Sequence, residues 1–219
     1  MTAIRPALAG ALSLVGLFAL ACFAPHPLIG DVLAQNATAV LAAKPVSLPD
    51  MAVGSANAPV TIVEYASMSC PHCAAFHENV FPMLQSKYVD AGKVRFVFRE
   101  FPLDIKAAAA SVLARCIAND DAAKYFGTIE LLFKQQDQLM EQTKTTLMLI
   151  GAQAGMSEQA VEACVKDQAL LDKLKADQTF AFEVLKVDAT PTFFINGEQA
   201  KGAMSFEELE AKIKSLLKK

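Results

Sequence analysis

The sequence predicts an α/β fold in which a βαβ unit is followed by a long helical insertion before the chain returns to β structure. Three observations predict it. A β-rich run, Val60-Thr61-Ile62-Val63-Glu64-Tyr65, is followed by a helical pattern and a second, alternating strand within about 40 residues. Residues 103–187 then carry helical periodicity without a convincing strand. Finally, Pro191-Thr192-Phe193-Phe194-Ile195 runs into Asn196-Gly197, a strong signal for a type I′ hairpin.

The elements follow in order. Arg5 precedes an uncharged apolar run from Ala7 to Phe23, and Pro25 and Pro27 break it. This is the layout of a secretory signal, and the run is slightly short for a membrane span of about 20 residues. Val32-Leu33-Ala34 places small residues where a signal peptidase reads, so 1–34 is assigned as signal peptide, with Ala21 and Ala39 as alternative sites. An uncleaved anchor, or lipidation at Cys22, is the alternative, and either way the folded part is exported. Residues 35–56 read as an extended leader, with Val46-Ser47-Leu48 a candidate edge strand.

The run Val60–Tyr65 suits a buried central strand, with Glu64 as its anomaly. Phe76, Val80, Met83, Leu84 and Tyr88 recur at helical spacing after it, and Pro82 should kink that helix. From Lys93 to Phe101, Val94, Phe96 and Phe98 face one way, while Arg95, Val97 and Arg99 face the other. Predicted helices cover 105–118, 122–134, 145–154, 158–166 and 169–185, and Ser157 is a good N-cap. Glu198 to Ala200 is the returning strand, and Ser205-Phe206-Glu207-Glu208 opens a last helix with a capping box.

Composition excludes several classes. The 219 residues carry 20 Lys+Arg and 23 Asp+Glu, a net charge of −3, which is not that of a basic nucleic-acid binder. At 53% hydrophobic and 20% charged, the chain is not intrinsically disordered. Five cysteines remain to be explained. If Cys22 leaves with the signal, Cys70, Cys73, Cys116 and Cys164 stay, an even set compatible with disulfides in an oxidising compartment.

Cys70-Pro71-His72-Cys73 stands where a strand gives way to a helix. A thiol at a helix N-terminus meets unpaired N–H groups and the positive end of the dipole, which favour its thiolate. Pro71 takes the first helical position at no hydrogen-bond cost. His72, if protonated or donating a hydrogen bond, would stabilise the Cys70 anion further. Cys73, one turn in, is the resolving thiol and Cys70 the exposed nucleophile. A rival metal reading of Cys70, Cys73 and His77, the last two at i, i+4, lacks the further ligands that complete a tetrahedral site. A structural disulfide is the bland alternative, but so tight a ring stabilises little by loop closure.

These residues, Glu64 through Cys73 with Ala189-Thr190-Pro191-Thr192-Phe193-Phe194-Ile195-Asn196-Gly197 downstream, resemble the DsbA family of periplasmic thiol:disulfide oxidoreductases. The resemblance runs from about Ser55 to the C-terminus. It implies a thioredoxin-like fold in two parts, 57–101 and 188–219, around an inserted α-helical domain at 102–187. It implies a Cys70–Cys73 disulfide donated to reduced, unfolded exported proteins and restored by a membrane DsbB-type quinone-linked partner. No cofactor beyond that disulfide, no nucleic acid, no metal and a monomeric, periplasmic protein are expected.

The resemblance also assigns roles. Pro191 matches a cis-proline facing the cysteines, and Thr190 then pairs with substrate backbone and tunes access to the sulfur. An ordinary trans-proline loop is the alternative. Glu64 matches an acid beneath the cysteines that accepts the Cys73 proton through water, against the alternative of an exposed strand-end charge. Cys116 and Cys164 match a second disulfide of some relatives, against two buried free thiols. His77 matches no motif and reads as helix surface or packing. Met68, Phe76 and Phe193 are candidates to hold unfolded substrates, with ordinary core as the alternative. A disulfide isomerase or reductase, or a periplasmic chaperone with incidental thiols, remains the alternative function.

Overall fold

The computed structural model describes residues 47–218; the predicted signal segment, Cys22 and most of the leader lie outside them. A five-stranded sheet forms the centre, in the order β1-β3-β2-β4-β5. Its strands are β1 (Met51–Val53), β2 (Val60–Ala66), β3 (Val94–Glu100), β4 (Thr192–Ile195) and β5 (Glu198–Lys201). β2 and β3 pair in parallel, with Ile62 opposite Phe96 and Glu64 opposite Phe98; every other pairing is antiparallel.

Alternation along the strands sorts side chains into two cores. Ile62, Phe96, Phe98, Phe193 and Ile195 join the larger one, together with Cys70, Cys73 and Phe76. Val63, Tyr65, Val97 and Phe194 face the other side, where Phe101, Ala181, Leu185 and Val187 cover them. Glu64 shares the parity of Ile62, so its carboxylate is carried into the larger core.

The segment after Cys70 does not form one kinked helix. It is divided into α1 (Pro71–Asn79), α2 (Phe81–Leu84) and a π-helical turn, Gln85–Val89. Pro82 has no N–H to give the Glu78 carbonyl, which is enough to end the first helix. Of the candidate edge strand at 46–48, Val46 lies outside the described residues, and Ser47 and Leu48 are not in a strand; among the described residues strand pairing begins at Met51. The physical reason is Asp177: the Ser47 and Leu48 N–H groups donate to that carboxylate, at 2.6 and 2.9 Å, and are not free to join a ladder.

The helical block contains α3 (Ile105–Ala118), α4 (Ala122–Lys134), α5 (Gln136–Glu141), α6 (Thr143–Gln153), α7 (Glu158–Val165) and α8 (Gln168–Glu183). Sequence periodicity missed α5, which is six residues long and has no side-chain cap. Side-chain oxygens of Asp104, Asp121, Ser157 and Asp167 cap α3, α4, α7 and α8. A disulfide between Cys116 and Cys164 joins α3 to α7. The hairpin turn at Asn196-Gly197 has φ of 46° and 87°, the left-handed values a type I′ turn requires. α9 (Phe206–Leu217) opens with the capping box of Ser205 and Glu208, and lays Phe206, Leu209 and Ile213 into the larger core. No helix among the described residues is long and apolar enough to cross a membrane.

Candidate active site

Cys70 is the N-cap of α1, and its Sγ accepts a hydrogen bond from the Cys73 backbone N–H at 3.4 Å. Pro71 occupies the first turn behind it. The loop in front is braced by Ser67, whose Oγ accepts from the N–H groups of Ser69 and Leu103 and shares a hydrogen bond with the Ser69 hydroxyl. Gln136, the first residue of α5, donates from Nε2 to the carbonyls of Met68 and Cys70, at 2.9 and 3.1 Å. Nothing in the sequence signals this brace, because it depends on a helix 66 positions away folding back.

The Thr190–Pro191 bond is cis, and it sets Thr190 against the cysteines. The Cys70 thiol donates to the Thr190 carbonyl at 3.2 Å. The Thr190 hydroxyl is buried and has no hydrogen-bond partner.

The two thiols have opposed acidities. Cys70 is pulled from an ordinary 9.0 down to about 5. Hydrogen bonding from the Cys73 thiol contributes most, and burial opposes it; the Thr190 side chain and the backbone N–H groups of Cys73 and His72 add to the lowering. Cys73 is pushed far up, chiefly by burial, then by its hydrogen bond to Cys70 and by the negative charge of Glu64. His72 therefore acts through its backbone. Its imidazole is exposed and makes no hydrogen bond among the described residues, so the hydrogen bond expected from it to Cys70 is not formed. Both cysteines are free thiols, so the structure holds the reduced form of the pair rather than its disulfide.

Glu64 is fully buried rather than at an exposed strand end. Its Oε2 lies 2.7 Å from His77 Nε2, while Oε1 has no hydrogen-bond partner. His77 is not helix surface. It is buried, and its ring stacks on Phe133 at 4.6 Å and lies against Phe81 at 5.1 Å. The i, i+4 spacing from Cys73 was the available signal, since it puts His77 on the buried face of α1. No cluster of three or more metal-ligating side chains occurs among the described residues.

Met68, Phe76 and Phe193 are also corrected as substrate contacts. They are 0–2% exposed, and Phe76 packs on Phe193 at 4.8 Å. Leu103, whose N–H bonds Ser67 in the loop before Cys70, and Ile105, the first residue of α3, are exposed apolar side chains, at 55% and 76%.

Comparison with known proteins agrees with this geometry. The family described as Thioredoxin matches residues 47–215. Disulfide bond formation protein D of Bacillus subtilis is 30% identical over 176 residues, 76% of this chain and 76% of that protein. A Rickettsia bellii protein, named among the protein-disulfide oxidoreductases, is 34% identical over 154 residues. That match covers 69% of this chain but only 59% of the relative, so the chain spans part of the length of such proteins. The crystal structure of Wolbachia pipientis α-DsbA1 superposes with a TM-score of 0.72 at 32% identity, over 78% of this chain and 92% of that one. A cysteine pair at a helix start, a facing cis-proline and these similarities lead to one conclusion: the chain belongs to the thioredoxin family, in its DsbA-like branch.

Proposed function

We propose that the protein is a dithiol oxidase, donating a Cys70–Cys73 disulfide to reduced, partly folded exported proteins. The opposed acidities of the two cysteines carry this reading. A sulfur at Cys70 that ionises at about 5 is a good leaving group and favours the reduced enzyme, so the disulfide is a strong oxidant. Client thiolate attacks Cys70 Sγ, the Cys70–Cys73 bond breaks, and Cys73 leaves. A second client thiolate then attacks the mixed disulfide and releases Cys70 as thiolate, with the client now disulfide-bonded.

Thr190 and the cis-Pro191 serve as the backbone edge against which an extended client segment is held, and Leu103 and Ile105 supply apolar contact. The similarity to disulfide bond formation protein D supports the same assignment. The signal-like N-terminus supports action in the periplasm, and the reading takes a quinone-linked membrane protein of the DsbB type as reoxidant and the enzyme as a monomer.

The test is the reduction potential of the Cys70–Cys73 couple in glutathione buffers. The expected value lies well above the roughly −270 mV of thioredoxin, toward the roughly −120 mV of the strongest oxidant in this class. A value at or below that of thioredoxin would replace the oxidase by a reductase, and a couple resting reduced in cells would favour an isomerase.

A further inference from the structure

If the protein exchanges disulfides, each turnover must put a proton on Cys73 or take one off, and Cys73 is 0% exposed. Glu64, whose charge reaches that thiol, is equally buried. The only hydrogen-bond partner of its carboxylate among the described residues is His77 Nε2, at 2.7 Å. His77 sits one turn beyond Cys73 on α1, in a cage of rings from Phe76, Phe81, Phe96, Phe98 and Phe133. A polar pair in such a cage is poor value for stability, since apolar side chains of like volume commonly serve as well or better.

The pair has an outlet. The His77 side chain keeps 4% exposure while Glu64 keeps none. His77 lines a cavity of about 20 Å³ between α1 and α4, with Ala74, Glu78, Glu130, Phe133 and Lys134. That volume has room for a single water. Its mouth is formed by the exposed side chains of Glu78, Glu130 and Lys134.

We propose that His77 is a positioning residue for proton transfer, passing the Cys73 proton between Glu64 and solvent through the α1–α4 cavity. In disulfide formation, Cys73 gives its proton to Glu64 and attacks Cys70 Sγ of a mixed disulfide. The new Cys70–Cys73 bond forms, the bond to the outer sulfur breaks, and that sulfur departs with the electron pair. His77 takes up a proton from Glu64 at Nε2 and releases one from its other ring nitrogen to the cavity. Imidazole suits this relay because its two nitrogens accept and donate on opposite sides. In client oxidation the proton runs inward, to the departing Cys73 thiolate. The groups facing the pair are Cys73 and Glu78 from α1, and Tyr125, Glu130 and Lys134 from α4; β3 presents the rings of Phe96 and Phe98.

The test separates the two cysteine steps. Oxidised glutathione is mixed with reduced protein, and the Cys70–glutathione adduct and its resolution by Cys73 are timed between pH 6 and 8. His77→Gln and His77→Asn keep an amide that can bond Glu64 but cannot relay a proton. Both should slow resolution by about tenfold or more and make it rise steeply with pH, as direct reaction with hydroxide would. Attack by Cys70, timed in a Cys73→Ser background, should be unchanged. Wild-type resolution rates and pH profile in folded variants, or equal slowing of both steps, would overturn the relay. Should neither variant fold, the wild type decides: a slowing in deuterium oxide confined to resolution supports the relay, and no such slowing overturns it. Failure of the wild type to form or resolve the adduct at all would instead sink the oxidase reading itself.

Discussion

Arg115 on α3 grips Glu100 at the end of β3 through two short contacts, Nε to Oε1 at 2.5 Å and the terminal nitrogen to Oε2 at 2.6 Å. Tyr125 of α4 donates to the same carboxylate, and Arg115 also donates to the Pro49 carbonyl. One buried ion pair thus joins the helical block, the central sheet and the segment before β1. Bidentate geometry and a third donor satisfy a carboxylate that would otherwise be costly to bury.

Removing one partner strands the other. Arg115→Leu should lower unfolding stability by about 3–5 kcal/mol, read by denaturant melts, because Glu100 stays buried and charged. Replacing both residues by apolar ones should cost much less. If the single variant melts with wild type, the pair contributes little to stability.

Redox state should change stability with a definite pH dependence. The folded-state acidity of Cys70 lies below its unfolded value, so ionisation stabilises the reduced fold fully above about 9, less at each lower pH, and not at all below about 5. Cys73 is pushed the other way and stays protonated across that range. The melting temperature of the reduced protein relative to the oxidised one should therefore rise from pH 5 to pH 9. A gap that is flat over this interval contradicts the assigned acidity.

Alkylation reports the same sulfur directly. Iodoacetamide should label the reduced protein at Cys70 with a midpoint near pH 5, and leave Cys73 unlabelled at neutral pH. Cys73→Ser should accumulate mixed disulfides with client proteins, and Cys70→Ser should not. Client adducts on Cys70→Ser would reverse the assigned roles.

The Cys116–Cys164 bond closes a loop of 48 positions between α3 and α7. Chain-entropy reasoning puts its loss at about 4 kcal/mol at most, an upper guide because residual structure in the unfolded chain reduces it. Cys116→Ala with Cys164→Ala should lower the denaturation midpoint and leave the Cys70 alkylation midpoint where it was. A shifted midpoint would couple this bond to the active site.

The chemistry at the cysteine pair was legible because local sequence produces it: a strand, a cysteine at a helix start and a proline in the first turn act within a few residues of one another. The capping box of Ser205 and Glu208, the Asn196-Gly197 turn and the alternation of β3 were readable for the same reason. What tertiary structure alone decided are the contacts between distant segments. Asp177 captures the N–H groups of Ser47 and Leu48 from 130 and 129 positions away, and so ends their chance of pairing as a strand. Gln136 reaches back to the Cys70 carbonyl, and Glu64 meets His77 inside a cage of aromatic rings built from three separate segments. Periodicity reports which face of an element is buried, but a partner for a buried polar group is chosen only when the elements pack.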